Sequence, residues 1–446
     1  MFFLQKKLNK MIEIFQIIVQ LLTFLLLSYF PFNNLTTPHL FSFNRFNFNY
    51  FLFNMLFLIF ALLIFSFIKI KLSLIFFFII TINIILLILN FKKTIYQIFN
   101  KNNLSLKFFF LLINLLLFFS LAYNIELGFD GLQIWILKTN NFYNGYNYFE
   151  SFSQLDNVKQ YPHLGSYLWA FFWKNSLGDK EYFGRLFHIY LYVLSLFILI
   201  TSIKNLSEIK KIIILFLLLI FSFDIGLNGY QEYLMFSLIV FGTKLFTVII
   251  NSKKNNKIYF SLFVFNLIII CFVKNEGIFY AIFFCMIYYF FNKKKIKPII
   301  LFCIVLFVIS FQLYISKILY KLESAFQFSI TQSLLFNNDM LNVYEIAKRF
   351  IYINFYIVHS LLKYPINLIN FIGICLSIYF YKKIPENKFL LLFLILNIIF
   401  IFSIYLITPL PFEWHLKTSI KRLFLQTSGL YFFIIINILN RRILKF

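Results

Sequence analysis

"LSLIFFFIITINIILLILNF" (residues 72–91) decides the fold class. Its twenty side chains include no charge. At about 1.5 Å of rise per residue, a helix of that length crosses the roughly 30 Å hydrocarbon core of a bilayer. The pattern recurs at about 11–30, 51–68, 107–123, 182–203, 211–225, 231–250, 257–273, 275–291, 296–316, 366–381, 388–407 and 424–440. A mean hydropathy of +0.85 agrees. In hydrocarbon the backbone satisfies its polar groups only as a helix or a closed barrel. A barrel would alternate over ~10-residue segments, which this sequence lacks. We therefore expect an all-α polytopic membrane protein with about 11–13 transmembrane helices. Three stretches are distinguished: N-terminal spans over 1–106, a larger unit over 107–440 and a cytoplasmic tail at 441–446.

The residues between the spans orient them. Lys and Arg number 41 against 16 Asp and Glu, a net charge of +25. Almost all of this charge lies in short loops, where the positive-inside rule accounts for it, so nucleic acid is not expected as a partner. "KNLSEIKK" (204–211), "NSKKNNK" (251–257), "NKKKIK" (292–297), "KKIPENK" (382–388) and "RRILK" (441–445) are expected in the cytoplasm. Alternation places 124–181, 224–230, 274–277, 317–365 and 408–423 on the other face. These segments carry acids, aromatics or His, so the chemistry is expected to face the periplasm or exterior from the cytoplasmic membrane. The N-terminal third is less regular. "KIK" (69–71) and "NFKKTIYQIFNKNNLSLK" (90–107) flank the opening stretch and cannot both be cytoplasmic. Either one segment before residue 107 does not cross, or the N-terminus is outside. "MFFLQKKLNK" ahead of an apolar run, with no small-residue cleavage site, reads as an uncleaved anchor.

Two segments read as helices lying at the membrane surface. After Pro162, Leu164, Tyr167, Leu168, Phe171 and Phe172 recur at helical spacing beside Trp169 and Trp173. Residues 348–365 are apolar, but counting them as a span would put "KKIPENK" outside. Cys271, Cys285, Cys303 and Cys375 lie within apolar runs without paired spacing and read as small core residues.

Charged residues beside such spans carry a cost. A carboxylate in hydrocarbon costs roughly 2.5–3.5 kcal/mol on the mildest scales. In "ELGFDGLQIWILKT" (126–139), Asp130 follows an apolar run, with Glu126 one helical turn before it and Trp135 and Lys138 after it. It reads as a solvated helix end or as a carboxylate delivered to the mouth of a cavity. "NVKQYPHLGSYLW" (157–169) contributes Tyr161 and His163, either at a helix start or against a substrate. "FDIGLNGYQEYL" (223–234) puts Asp224 and Glu232 on a hairpin, and "CFVKNEGIFYA" (271–281) puts Lys274 and Glu276 on a turn. Both pairs also read as ordinary polar ends. In "PLPFEWHLKTSIKRLFLQ" (409–426), a helix starting near Phe412 aligns His415, Ser419 and Arg422 on one face beside Trp414. Membrane anchoring alone would not call for that alignment. His188, inside an apolar span, reads as a packed residue. No phosphate-cradling glycine loop, HExxH or G-x-S-x-G occurs.

An acidic residue in the first large outer loop is followed by "YPHLGSYLWAFFW" and then "GDKEYFGRLFHIYLYVL". This order resembles the GT-C superfamily of membrane glycosyltransferases, in a bacterial branch related to protein O-mannosyltransferases and the lipid A aminoarabinose transferase. Three later stretches resemble family patterns: "NGYQEYLMFSLIVFG" a Tyr-x-Asp pattern with Glu232 in place of Asp, "VKNEGIFYA" a Lys-Asn-Glu-Gly turn, and "TPLPFEWHLKTSIKRLFLQ" a Trp-His-Leu…Ser…Arg motif. The resemblance covers about 107–440. It implies inverting transfer of a sugar from a polyprenyl-phosphate donor to a glycan or lipid acceptor, on a scaffold in contact with membrane lipids. Asp130 would be the base, Arg422 would bind the donor phosphate with Lys274 and His415, and Glu126, Tyr161, His163, Glu232, Glu276, Trp414 and Ser419 would line the substrate site. Metal dependence varies in the superfamily, so a divalent metal stays open. A transporter or flippase would bury charges mid-span or break paired half-helices. A polysaccharide polymerase or ligase would concentrate Arg in one late loop, whereas 317–348 has none.

Overall fold

A computed structural model of the protein describes residues 2–29, 48–92, 104–154, 161–203, 206–222, 227–251, 257–292, 296–315, 343–363, 365–380, 385–407 and 412–443. Asp224, all of 317–342, residues 408–411 and the last three residues lie outside them. Every regular element among the described residues is a helix. Eight are long and apolar enough to cross a membrane, and shorter apolar helices accompany them. The chain is an all-α polytopic membrane protein by architecture. It forms two compact units. One comprises residues 1–157, 163–216 and 226–237, and the other 158–162, 217–225 and 238–446. The N-terminal helices share a unit with residues 107–157 and 163–181.

The first unit contains α1 (Phe2–Tyr29), α2 (Phe48–Ser66), α3 (Leu72–Leu89), α4 (Leu104–Tyr123), α5 (Ile136–Tyr143), α6 (Tyr148–Gln154), α7 (Leu164–Lys174) and α8 (Tyr182–Thr201). Helix α8 is its axis, buried at every residue from Tyr182 to Ile200. Between membrane helices, van der Waals fit and interhelical hydrogen bonds replace the hydrophobic drive of water. Phe24 of α1 accordingly packs edge-on against Phe118, Phe172 and Phe187. The Ser28 hydroxyl bonds that of Tyr190, and Asn54 donates to the Ser28 carbonyl. Helix α3 lies at the edge of this unit, with Phe77, Phe78, Ile88 and Leu89 exposed as a lipid-facing surface.

Polar contacts locate the ends of the N-terminal helices within this unit. Lys69 of "KIK" pairs with Glu150 at 2.6 Å, and Ser66 bonds His163 at 2.8 Å, so this turn lies against the 124–181 loop. The start of α1 is at the same end: Glu13 bonds Lys180 at 2.7 Å and Tyr182 at 2.6 Å, and Gln16 donates to the Leu177 carbonyl. At the opposite end, Lys107 lies within electrostatic reach of Glu208. Helices α1, α2, α3 and α4 therefore all run between the two ends of this unit, with the start of α1 at the loop end.

Helix α7 corrects another expectation. It does not lie on the surface, because Leu164 through Phe172 are all buried. Within 164–172 only Gly165 and Ser166 are neither large apolar nor aromatic and Ala170 is small, and a helix apolar all round is a core helix. Gly184 lets α8 approach so closely that a Cβ there would collide with the Trp169 carbonyl.

The linking helices are α9 (Glu208–Ser222) and α10 (Glu232–Asn251), and α10 passes from the first unit into the second after Ser237. The second unit continues with α11 (Lys257–Cys271), α12 (Asn275–Phe291), α13 (Ile296–Leu313), α14 (Val343–Lys363), α15 (Pro365–Tyr379), α16 (Pro385–Ile407) and α17 (Phe412–Ile443). Helix α17 is the longest, and α14, α15 and α16 pack on it. Buried amides cross-link the bundle: Asn397 donates to Thr427 at 3.0 Å, Tyr280 to Gln426 at 3.0 Å, and Asn266 to the Leu238 carbonyl at 3.1 Å. Such bonds average ~0.6 kcal/mol each within a membrane. Helix α14 has three faces. It buries Ile353 against Tyr405, Leu416 and Ile420, exposes Ile351, Phe355, Val358 and Leu362, and sets Lys348, His359 and Lys363 along a polar edge. Cys271 and Cys285 are buried as expected. Cys303 and Cys375 are exposed instead, because an apolar helix face in a bilayer can front lipid as readily as protein.

Candidate functional site

Residues 124–128 leave α4 in a non-helical segment, and helix resumes at Phe129. Glu126 is therefore not one helical turn before Asp130. It is exposed, and its N–H lies 3.4 Å from the Asn124 Oδ1 acceptor. Asp130 is half-buried and immediately precedes a π-helical turn, Gly131–Trp135. Single π-turns are rare and are frequently found at functional sites.

The segment before Asp130 is held by groups that the sequence did not single out. The Gly128 N–H donates to the Asn228 carbonyl at 2.9 Å. Gly131 abuts that same carbonyl, and a Cβ there would come within 2.7 Å of it. Gly229 takes φ +78° under Leu127, where an added Cβ would come within 2.6 Å of the leucine methyl. Arg185, buried at the start of α8, binds both strands of this junction. Its Nη2 donates to the Ile125 carbonyl at 2.8 Å, and its Nη1 to the Leu227 carbonyl at 3.0 Å and the Glu126 carbonyl at 3.3 Å. Glu181 receives the other side of the guanidinium, from Nη2 at 3.0 Å, with Nε also 3.0 Å away. Trp169 closes the site, donating from Nε1 to the Glu181 carbonyl. Glu232, the first residue of α10, is buried next to Gln231, which meets Gly165. The sequence signal for Arg185 was available: a lone arginine in the first turn of an apolar span, with an acid four residues earlier.

His163 belongs to a packed cluster. It is buried, bonded to Ser66, and flanked by Tyr148, Phe67 and Phe142 at ring separations of 4.0, 5.4 and 5.9 Å. Burial, and then the nearby Lys138, hold its pKa well below the usual histidine value. Lys138 is itself buried on α5, and burial brings its ammonium down to about 7. Tyr161 is half-buried and groups with the other unit. His188, as expected, is buried and bonded to the Gly165 backbone.

In the second unit, the structure gathers the remaining candidates around a tyrosine absent from the sequence reading. The Tyr405 hydroxyl lies 2.7 Å from Ser419 Oγ, and the His415 ring packs edge-on against Tyr405 at 5.1 Å. The charges of both Arg422 and Glu276 reach that hydroxyl. Arg422 is half-buried and donates from Nε to the Thr418 carbonyl at 3.1 Å. Lys274 pairs with Glu276 at 3.3 Å, although it is largely buried. Trp414 is half exposed, and Glu413 pairs loosely with Lys417 at 3.6 Å. Lys274, Glu276, His415, Ser419 and Arg422 thus form one polar neighbourhood built on α12, α16 and α17. Nothing in 388–407 distinguished Tyr405, one aromatic in an apolar run.

Comparison with known protein families, with curated proteins and with solved structures finds no match. Among the described residues no three His, Cys, Asp or Glu side chains converge as metal ligands.

Proposed function

We propose that the chain is a membrane glycosyltransferase. It moves a sugar, with inversion, from a polyprenyl-phosphate carrier to a glycan or lipid acceptor at the extracytoplasmic face of the cytoplasmic membrane. The observation that carries this reading is the setting of Asp130: a scarce carboxylate, half-buried, on a segment fixed by four main-chain carbonyl contacts and followed by a π-turn. A fixed but reachable carboxylate suits general base catalysis. The polar neighbourhood of Arg422 supplies what the leaving group needs, because a guanidinium presents a planar donor fork to phosphate.

In this reading Asp130 takes the proton of an acceptor hydroxyl as that oxygen attacks the sugar C1. The bond between C1 and the phosphate oxygen breaks, and its electron pair leaves on the carrier phosphate. Arg422, with Lys274 and His415, balances that charge. The configuration at C1 inverts, and the proton passes from Asp130 to water. Against a transporter, the buried charged residues among those described (Lys107, Lys138, Arg185, Glu232 and Lys274) lie in loops or the first turns of helices, and Lys244 of α10 is a half-buried charge within a span.

The test is sugar transfer by the purified protein in vesicles containing a radiolabelled polyprenyl-phosphate sugar. Asp130→Asn is expected to lower kcat by roughly 10²–10⁴-fold, the usual contribution of a positioned base. Arg422→Gln is expected to weaken use of the donor. Undiminished turnover by D130N removes the base assignment, and no transfer by the wild type removes the proposal.

A further inference from the structure

The clasp around Arg185 deepens the proposed function, and it rests on that reading. We infer that Arg185 is the positioning residue that fixes Asp130 for reaction, acting through the backbone and not by touching substrate.

Arg185 ties three separate stretches of chain together. The carbonyls of Ile125 and Glu126 belong to the segment leading into Asp130, the Leu227 carbonyl to the hairpin leading into Glu232, and the Glu181 carboxylate to the entrance of α8. The three carbonyls that Arg185 reaches lie in the non-helical 124–128 and 227–231 segments, outside any helical ladder. A guanidinium carries five N–H donors in one plane and can serve several such acceptors at once, which an ammonium on a flexible stem cannot do with fixed geometry. The Gly128–Asn228 bond also ties the two segments. With Arg185 removed, the segment before Asp130 loses the guanidinium bonds at Ile125 and Glu126. The carboxylate then loses its fixed direction, and a displacement near 1 Å can cost about 10²-fold in rate.

Arg185 is buried behind this junction, with Trp169 under its guanidinium at 5.8 Å, so it is not available to a lipid phosphate. That separates its role from the one proposed for Arg422. Substitution at Arg185 should lower kcat and leave the donor KM nearly unchanged, whereas substitution at Arg422 should move the donor KM.

The experiment compares wild type, Arg185→Lys and Arg185→Gln in two measurements. Hydrogen exchange over residues 125–132 should accelerate at least tenfold in R185Q and less in R185K, while the interior of α8 stays protected. In the vesicle assay, kcat should fall about 10²-fold in R185Q, partly recover in R185K, and leave the donor KM within about twofold. If R185Q does not fold, R185K reads the same quantities. Exchange over 125–132 at the wild-type rate overturns the clasp whatever the activity. Faster exchange with unchanged kcat overturns its role in catalysis, as does a loss confined to donor KM. A wild type inactive on every polyprenyl-phosphate sugar overturns the glycosyltransferase reading instead, and the exchange measurement still decides the clasp.

Discussion

Gly229 and Lys138 show how single residues set up the loop that carries Asp130. At Gly229 the backbone is left-handed, and the Leu127 side chain occupies the space a Cβ would need. Left-handed backbone costs an L-residue about 1–2 kcal/mol before any clash. Gly229→Ala should therefore lower the melting temperature in detergent and accelerate exchange over 125–132. An unchanged melting curve would contradict the described junction. Lys138 makes a pH-dependent contribution. Its folded pKa is about 7 against an ordinary value of 10.5. Below 7 both states hold the proton, and folding bears the full cost of burying the charge. Between 7 and 10.5 only the unfolded state holds it, so stability rises with pH across that window. Lys138→Met should gain more on the wild type at pH 7 than at pH 9, as read by melting temperature. A constant difference would show that Lys138 stays charged when folded. Asp130, His415, Ser419 and Arg422 were legible as residues because scarce polar groups beside apolar runs stand out. Tyr405 was not, because a tyrosine in a Phe- and Ile-rich span gives no signal until its hydroxyl has a partner.

Among the elements, the spans were legible and their surroundings were not. Apolar runs fix where helices form, since hydrocarbon permits little else. They do not fix which face meets protein and which meets lipid, because both are apolar. That is why α7 read as a surface helix and is a buried one, and why Cys303 and Cys375 read as core and face outward. The "KIK" turn followed charge counting only halfway: basic flanks at both ends of one span, 69–71 and 90–107, exceed what alternation can place on one side. The pairing of Lys69 with Glu150 puts this turn on the side of the 124–181 loop. An exposed pair of this kind contributes only ~0–1 kcal/mol, so it marks position more than it stabilises. Cysteines at Lys69 and Glu150 should be joined by a short bis-maleimide. Failure to join them, with Lys69→Cys joined to Lys210→Cys instead, would reverse the orientation of α2 and α3.

For the whole molecule, the proposed base lies on the loop after α4, and the proposed phosphate-binding Arg422 and His415 lie at the start of α17. The resemblance ordered these motifs along the chain, and the structure gives each one a defined neighbourhood within its own unit. Charge alternation along the sequence assigns both to one membrane face, and the proposed reaction requires it. The direct measurement uses the protein with its four cysteines replaced by alanine and single cysteines placed at exposed Phe129 and Lys417. Intact cells are treated with a membrane-impermeant maleimide. Both positions are expected to label before lysis. Labelling of one before lysis and of the other only after it would put the acid and the arginine on opposite faces of the membrane and contradict the proposed sugar transfer.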